Sequence, residues 1–356
     1  MKNLSRALLA VGLIVGFGSA GASAQDIIKL TVVSGHPPAT HGVRLIRDYF
    51  IPEVDKRLAA AGGKYKIEWT QAYAGSIAKP ADVLETIEKG IGDVGYVPAL
   101  FEADKLPLEQ ITYVTPFGSD ELVKLMDVVR QLRNDVPEMN DAFKKHNQLH
   151  LASVGVDTYH TLTTFPVKTV EDFKGRKIGT AGLAARWLEG TGWVPVKGAL
   201  PEYYNSIQTG IIEGTIVFES SIKPYKFYEV AKNITKIGFG AQQASDLTVN
   251  LRRWNAFPKE MQAIFLDVAK EYERQAAVAY QADGESSMKF AAEHGATIST
   301  LPDAERKKLA KMLPNIAQEW AKNLDKKGQP GTKVLKTYMD LCRKAGLQHA
   351  RQWDQE

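Results

Sequence analysis

The chain has 356 residues, 44% of them apolar and 24% charged, with a formal net charge of +4 at pH 7. That length exceeds what one hydrophobic core usually organises and predicts two lobes, and the apolar content is enough to fill both. The charges are interspersed rather than blocked, which argues against nucleic-acid binding, and the single cysteine, Cys342, excludes an intrachain disulfide.

Lys2 and Arg6 precede an apolar run over residues 7–17, and Ala22-Ser23-Ala24 fits the small-residue rule for signal peptidase. The expectation is an exported, periplasmic protein with residues 1–24 as signal peptide, cleaved after Ala24. About a dozen apolar residues are too few to span a bilayer, and no later run approaches the roughly 18 required. Beyond Gln25, β-rich runs alternate with helical periodicity, which predicts an α/β layered architecture with largely parallel strands. Strands are expected over 27–34, 65–70, 93–97, 149–156, 176–180 and 214–218, and helices over 40–60, 80–89, 120–133 and 181–188. Pro80, with Asp82 and Glu85 after it, suits a helix start, and Gly90 and Gly62-Gly63 suit stops. From 258 to about 294, Met261, Ile264, Phe265, Val268, Tyr272, Ala276, Ala279 and Tyr280 recur at three-and-four spacing. Unbroken, that helix reaches about 55 Å at 1.5 Å per residue and has to brace both lobes. Gly284 is the place for a break, and Pro314 divides the last helical stretch, which carries Leu309, Ile316, Trp320 and Leu324. Cys342 shares a helical face with Leu335 and Met339, the setting of a buried, inert thiol.

The sequence offers little chemistry. It contains no nucleophile elbow, metalloprotease helix or phosphate loop: Gly238-Phe239-Gly240 lacks the third glycine, and the seven histidines form no ligand spacing. His36 and His41 share a loop-to-helix junction in a solvated or capping role, and Glu85 and Glu88 form a wet helix face. Binding without catalysis, metal or cofactor is therefore expected. An exported hydrolase is the alternative from another class, and it needs a nucleophile, base and orienter in one cleft.

Several segments share an order and spacing. They are His36-Pro37 with Thr40-His41, Gly75-Ser76 before a helix, the turn from Glu88 through Gly90 and Gly92 to Gly95, and the run from Val170-Glu171-Asp172-Phe173 to Lys177-Ile178. The series continues with the run from Glu202-Tyr203-Tyr204 to Gly210 and ends with Asn250, Trp254 and Phe257-Pro258. In these the chain resembles a periplasmic substrate-binding protein of the tripartite ATP-independent periplasmic (TRAP) transporter family, over essentially its whole mature length. The resemblance implies a two-lobed periplasmic binding protein fold with crossing hinge strands and a long bracing helix. It implies lobe I over 25–153 plus about 240–256, and lobe II over 154–239 plus about 257–356. It also implies a monomer that encloses a small-molecule solute by hinge closure and delivers it to small and large TRAP membrane subunits. A ligand-presenting accessory sensor would have the same fold.

The chain departs from the family at one position. Similar proteins place an arginine directly after the Lys-Ile of the Gly-x-Lys-Ile strand, where its planar fork grips a ligand carboxylate; here that residue is Gly179. A second basic position used by some members falls near Tyr159, and Glu213-Gly214 is followed by Thr215-Ile216-Val217-Phe218-Glu219-Ser220. The expected solute is an organic acid, aromatic or cyclic, held without the family arginine. Tyr73, Tyr96, Tyr159, Trp187, Trp193 and Phe218 are the expected walls, with open space at Gly179. Arg186 is either a replacement cation or a partner of Glu189, and Glu219 faces either a cationic or polyol ligand or a salt bridge between lobes. One of Tyr203 and Tyr204 points inward, and Gln208 stabilises the helix end beside the cleft.

Overall fold

The computed structural model of the chain describes residues 25–356, so the export segment ending at Ala24 lies outside the described residues. Strands β1 (Asp26–Ser34), β2 (Tyr65–Ala72), β3 (Val94–Val97) and β4 (Gln148–Val156) form one sheet. Strands β5 (Tyr159–Thr163), β6 (Lys177–Thr180), β7 (Val194–Lys197), β8 (Gly214–Phe218) and β9 (Asn233–Lys236) form a second. The chain returns to the first sheet through β10 (Gln242–Asn250) and completes the second with β11 (Thr297–Thr300). The spatial orders are β2-β1-β3-β10-β4 and β11-β9-β5-β8-β6-β7.

The expected α/β, two-lobed architecture is what the two sheets form, and each of the six expected strands occurs within two residues of its expected ends. Strands joined through helices pair in parallel: β1 with β2 and β3, and β6 with β7 and β8. The crossing strands pair antiparallel: β10 with β3 and β4, and β5 with β8 and β9. The chain crosses between sheets at Asp157-Thr158 and again between β9 and β10. These crossings lie side by side, the Tyr159 amide donating to Gly240 O at 3.3 Å and the Phe239 amide to Tyr159 O at 3.1 Å.

The helix expected over 40–60 runs as His41–Leu45, a π-helical turn Ile46–Phe50, and Ile51–Ala60. The segment expected over 181–188 is a 3₁₀ helix, Gly182–Leu188, rather than an α-helix. Gly182 enters it with φ +51°, and a side chain there would strike the Leu100 carbonyl, so glycine lets the two sheets' loops approach.

The bracing helix is a single element, Lys259–Glu293, of 35 residues or about 52 Å. It packs on β4 of the first sheet and β11 of the second. It does not break at Gly284. A Cβ there would stand 2.6 Å from Glu219 Oε2 and 2.8 Å from Asp157 Oδ2, so the glycine serves close approach rather than a kink. Helices Asp303–Met312 and Ile316–Lys326 flank Pro314, and Gly331–Lys344 follows. Cys342 is fully buried in the last of these, and burial pushes its thiol up to about 12.

Candidate functional site

In open α/β sheets, ligands gather beyond the carboxyl ends of the parallel strands. Those ends face each other here. β1 leads to His36 and Thr40, β3 carries Tyr96 and leads to Leu100 and Phe101, β6 leads to Ala181, and β8 ends in Phe218. With Val156, Tyr159, Leu200, Tyr203, Ile216, Ala244, Ser245 and Tyr280 they enclose a cavity of about 40 Å³ between the sheets. That is far below the roughly 150 Å³ of an apolar cavity that takes benzene, so the space as it stands does not hold a ring-sized guest.

Aromatic edges and hydroxyls build the wall. Tyr159 meets Phe218 with ring centroids 5.5 Å apart, and Phe218 meets Tyr280 at 6.0 Å, both edge to face. The Tyr159 and Tyr113 hydroxyls are 2.8 Å apart, the Tyr280 hydroxyl accepts from the Gly42 amide at 3.1 Å, and the Tyr203 hydroxyl donates to Gly198 O at 3.0 Å. His36 Nδ1 lies 3.0 Å from the Tyr225 hydroxyl, a hydrogen bond that bridges the lobes. Burial pushes the His36 imidazole down to about 4, so it is neutral at pH 7. Its expected solvated or capping role is therefore replaced by a buried bond between lobes. His41 is also buried, its Nε2 2.7 Å from Asp283 Oδ2 on the long helix.

Of the residues singled out in the sequence, Tyr96, Tyr159 and Phe218 meet at this cavity, and Tyr203 joins them as the inward member of its pair. The other expected wall and charged residues lie elsewhere. A Cβ on Gly179 would meet Ile212 Cδ1 at 2.8 Å and the Tyr203 ring at 3.0 and 3.2 Å, so the protein itself fills the space beside that glycine. Arg186 is committed to Glu189 at 2.8 Å and to Glu319 at 2.5 Å, the surface pairing rather than a ligand cation. Trp187 is fully buried, stacks on Tyr113 and Phe239, and donates to Tyr113 O at 2.7 Å. Trp193 stacks on Phe173 at 3.7 Å. The Tyr73 hydroxyl is buried on the first lobe and does not line the cavity. Leu100, Phe101, Ser245 and Tyr280 escaped the sequence reading. For Leu100 and Phe101 the available signal was their position just past a parallel strand; Tyr280 read as one more apolar position of the long helix.

Glu219 borders a different space, a groove of about 780 Å³ behind the crossings, with Asp157, His160, Lys236 and Arg306. His160 Nε2 is 2.9 Å from Glu219 Oε1, and Lys236 Nζ is 3.8 Å from the same oxygen. Asp157 accepts from the Ser220 amide at 3.0 and 3.3 Å. Its burial, then the nearby Glu219 charge, hold its carboxyl well above the usual carboxylate range. Among the described residues no group of three or more His, Cys, Asp and Glu is placed to hold a metal ion.

The sequence profile of the bacterial extracellular solute-binding protein family 7 matches residues 54–323. A solute-binding protein of Sulfitobacter sp. strain NAS-14.1 is 31% identical over 144 residues, which is 39% of this chain and 43% of that relative, so the match spans under half of the relative's length. The fold is similar to that of a TRAP solute-binding protein from Rhodoferax ferrireducens T118 solved with copurified benzoate, at a TM-score of 0.79 and 19% identity, covering 90% of this chain and 98% of that one. It is also similar to a Bordetella pertussis extracytoplasmic solute receptor binding pyroglutamic acid, at a TM-score of 0.75 and 20% identity, covering 87% and 99%.

Proposed function

The chain belongs to the bacterial extracellular solute-binding protein family 7, the TRAP-type receptors, and from that premise we propose that it is the exported solute receptor of a TRAP-type secondary transporter. It works in the periplasm, freed of its signal peptide after Ala24. It captures a small organic solute between lobes 25–153 (plus about 240–256) and 154–239 (plus about 257–356), and hands it to the membrane subunits. The solute is an organic acid, aromatic or cyclic, held without the family arginine. The observation that carries this reading is the tyrosine-walled cavity between the two sheets, bridged by His36 and Tyr225. Its rings match flat guests, and the benzoate and pyroglutamic acid of similarly folded receptors are guests of that kind.

In energetic terms, the open and closed lobes differ by a few kcal/mol, and the solute's contacts to both lobes tip the balance toward closure. The test is thermal shift across cyclic and aromatic acids, amides and alcohols. A true ligand at 100 times its dissociation constant adds about 2.7 kcal/mol, or several degrees in a chain of this size. Turnover of a bound compound, abolished by Tyr159→Ala, would make the protein an enzyme and end the receptor reading.

A further inference from the structure

We propose that the cavity between the lobes takes its solute uncharged: a cyclic or aromatic compound whose polar groups are hydroxyl, carbonyl or amide, or a carboxylic acid in its protonated form. The proposal rests on the receptor reading but shifts its ligand from an ionised acid to an uncharged compound.

None of the side chains around the cavity carries a formal charge at neutral pH: the set is aromatic, aliphatic and hydroxyl-bearing, with His36 the one basic group. Buried and paired with Tyr225, His36 stays neutral and offers no counter-ion. The Tyr203 hydroxyl spends its proton on Gly198 O and the Tyr159 hydroxyl is paired with Tyr113, while Tyr280, which accepts from the Gly42 amide, keeps its own proton to donate. A carboxylate presents about four lone-pair sites and needs several donors when desolvated, and this wall has few to give. The two positions that might have supplied a cation do not: Gly179 is covered by Tyr203 and Ile212, and Arg186 is held by Glu189 and Glu319.

The groups next behind the wall bring an anion no free counter-ion. Three lining residues are each followed in the chain by an acid: Val156 by Asp157, Phe218 by Glu219 and Ser245 by Asp246. Asp246 is fully buried, 3.5 Å from Arg133, and Arg133 is itself paired with Glu109 at 2.6 Å. A carboxylate without a partner in such surroundings takes up a proton instead of remaining ionised. An amide or hydroxyl needs only one or two hydrogen bonds, within reach of Ser245 and His36.

The test is calorimetric titration of the mature chain with benzamide and with benzoate between pH 5 and pH 8. The expected result is a dissociation constant for benzamide that does not change with pH. For benzoate the apparent constant should rise about tenfold per pH unit, because only the protonated fraction binds. Ala181→Trp and Leu200→Trp, two half-buried positions on the rim, should each abolish benzamide binding. Benzamide binding that survives in whichever of these variants melts cooperatively puts the site elsewhere and overturns the proposal. Benzoate binding that is flat across this range and tighter than benzamide overturns it while leaving the receptor reading intact. If neither compound binds and no acid of the wider panel shifts the melting temperature, both fall together.

Discussion

Gly284→Ala pits two known effects of opposite sign against each other. In a solvent-facing helix the change adds about 1 kcal/mol, because alanine is the better helix former. Here the new methyl would lie 2.6 Å from Glu219 Oε2 and 2.8 Å from Asp157 Oδ2, where ordinary contacts are about 3.5 Å. Each oxygen must therefore retreat by most of an ångström. Glu219 is held by His160 at 2.9 Å and Asp157 by the Ser220 amide at 3.0 Å, so the retreat stretches at least one hydrogen bond to a charged group, worth about 1.5–3 kcal/mol. The balance is a loss of about 0.5–2 kcal/mol, or a fall of a few degrees in a chain of this length. Calorimetric melting at pH 7 with Val278→Ala, an exposed site on the same helix, as the reference measures it. A gain of about 1 kcal/mol in Gly284→Ala would refute the close-approach argument and return Gly284 to being a tolerated helix defect.

Two other perturbations test the cleft and the crossing. Tyr225→Phe leaves a buried His36 nitrogen without its partner across the cleft, a penalty of about 1–3 kcal/mol borne by the closed form. Solute should then bind roughly 5- to 150-fold more weakly, through faster dissociation in stopped-flow experiments; an unchanged off-rate removes this bond from closure. For Asp157, the folded state holds the proton more tightly than the unfolded chain does, because burial and Glu219 raise its carboxyl, with Asp283 adding to the effect. That contribution to stability is complete below the ordinary carboxylate pKa of about 4 and is lost as pH rises through the folded-state value. Asp157→Asn keeps the acceptor for Ser220 and removes the titration, so in urea unfolding between pH 4.5 and pH 8 its stability relative to wild type should improve as pH rises above 4.5 and level off once the folded-state carboxyl has ionised. A difference that stays constant over that range contradicts the assignment.

What the sequence disclosed and what it hid follow from the same physics. Strands such as β1 and β3 are legible because Val32, Val33, Val94 and Val97 sit in a fully buried pleat that demands β-branched residues. β10 is central in the same sheet yet was missed. All nine of its residues are buried, but Gln242, Gln243, Ser245, Asp246, Thr248 and Asn250 read as loop. They are paid for by partners far along the chain, among them Ser153 and His150 on Asp246 and Gln148 on Thr248. No local pattern reveals such pairing, because satisfaction of a buried polar group is a property of the assembled fold. The cleft divides in the same way. Phe218 could be named because it ends an expected strand and Tyr159 because it falls near a family site position, whereas Tyr280 serves the helix's apolar stripe and the cavity with one side chain, and its sequence context reports only the first. The departure at Gly179 was visible, but its consequence was not: only the packed fold puts Tyr203 and Ile212 against that glycine. The missing side chain thus removes a cation without opening room for a guest, because Tyr203 and Ile212 occupy the space beside the glycine.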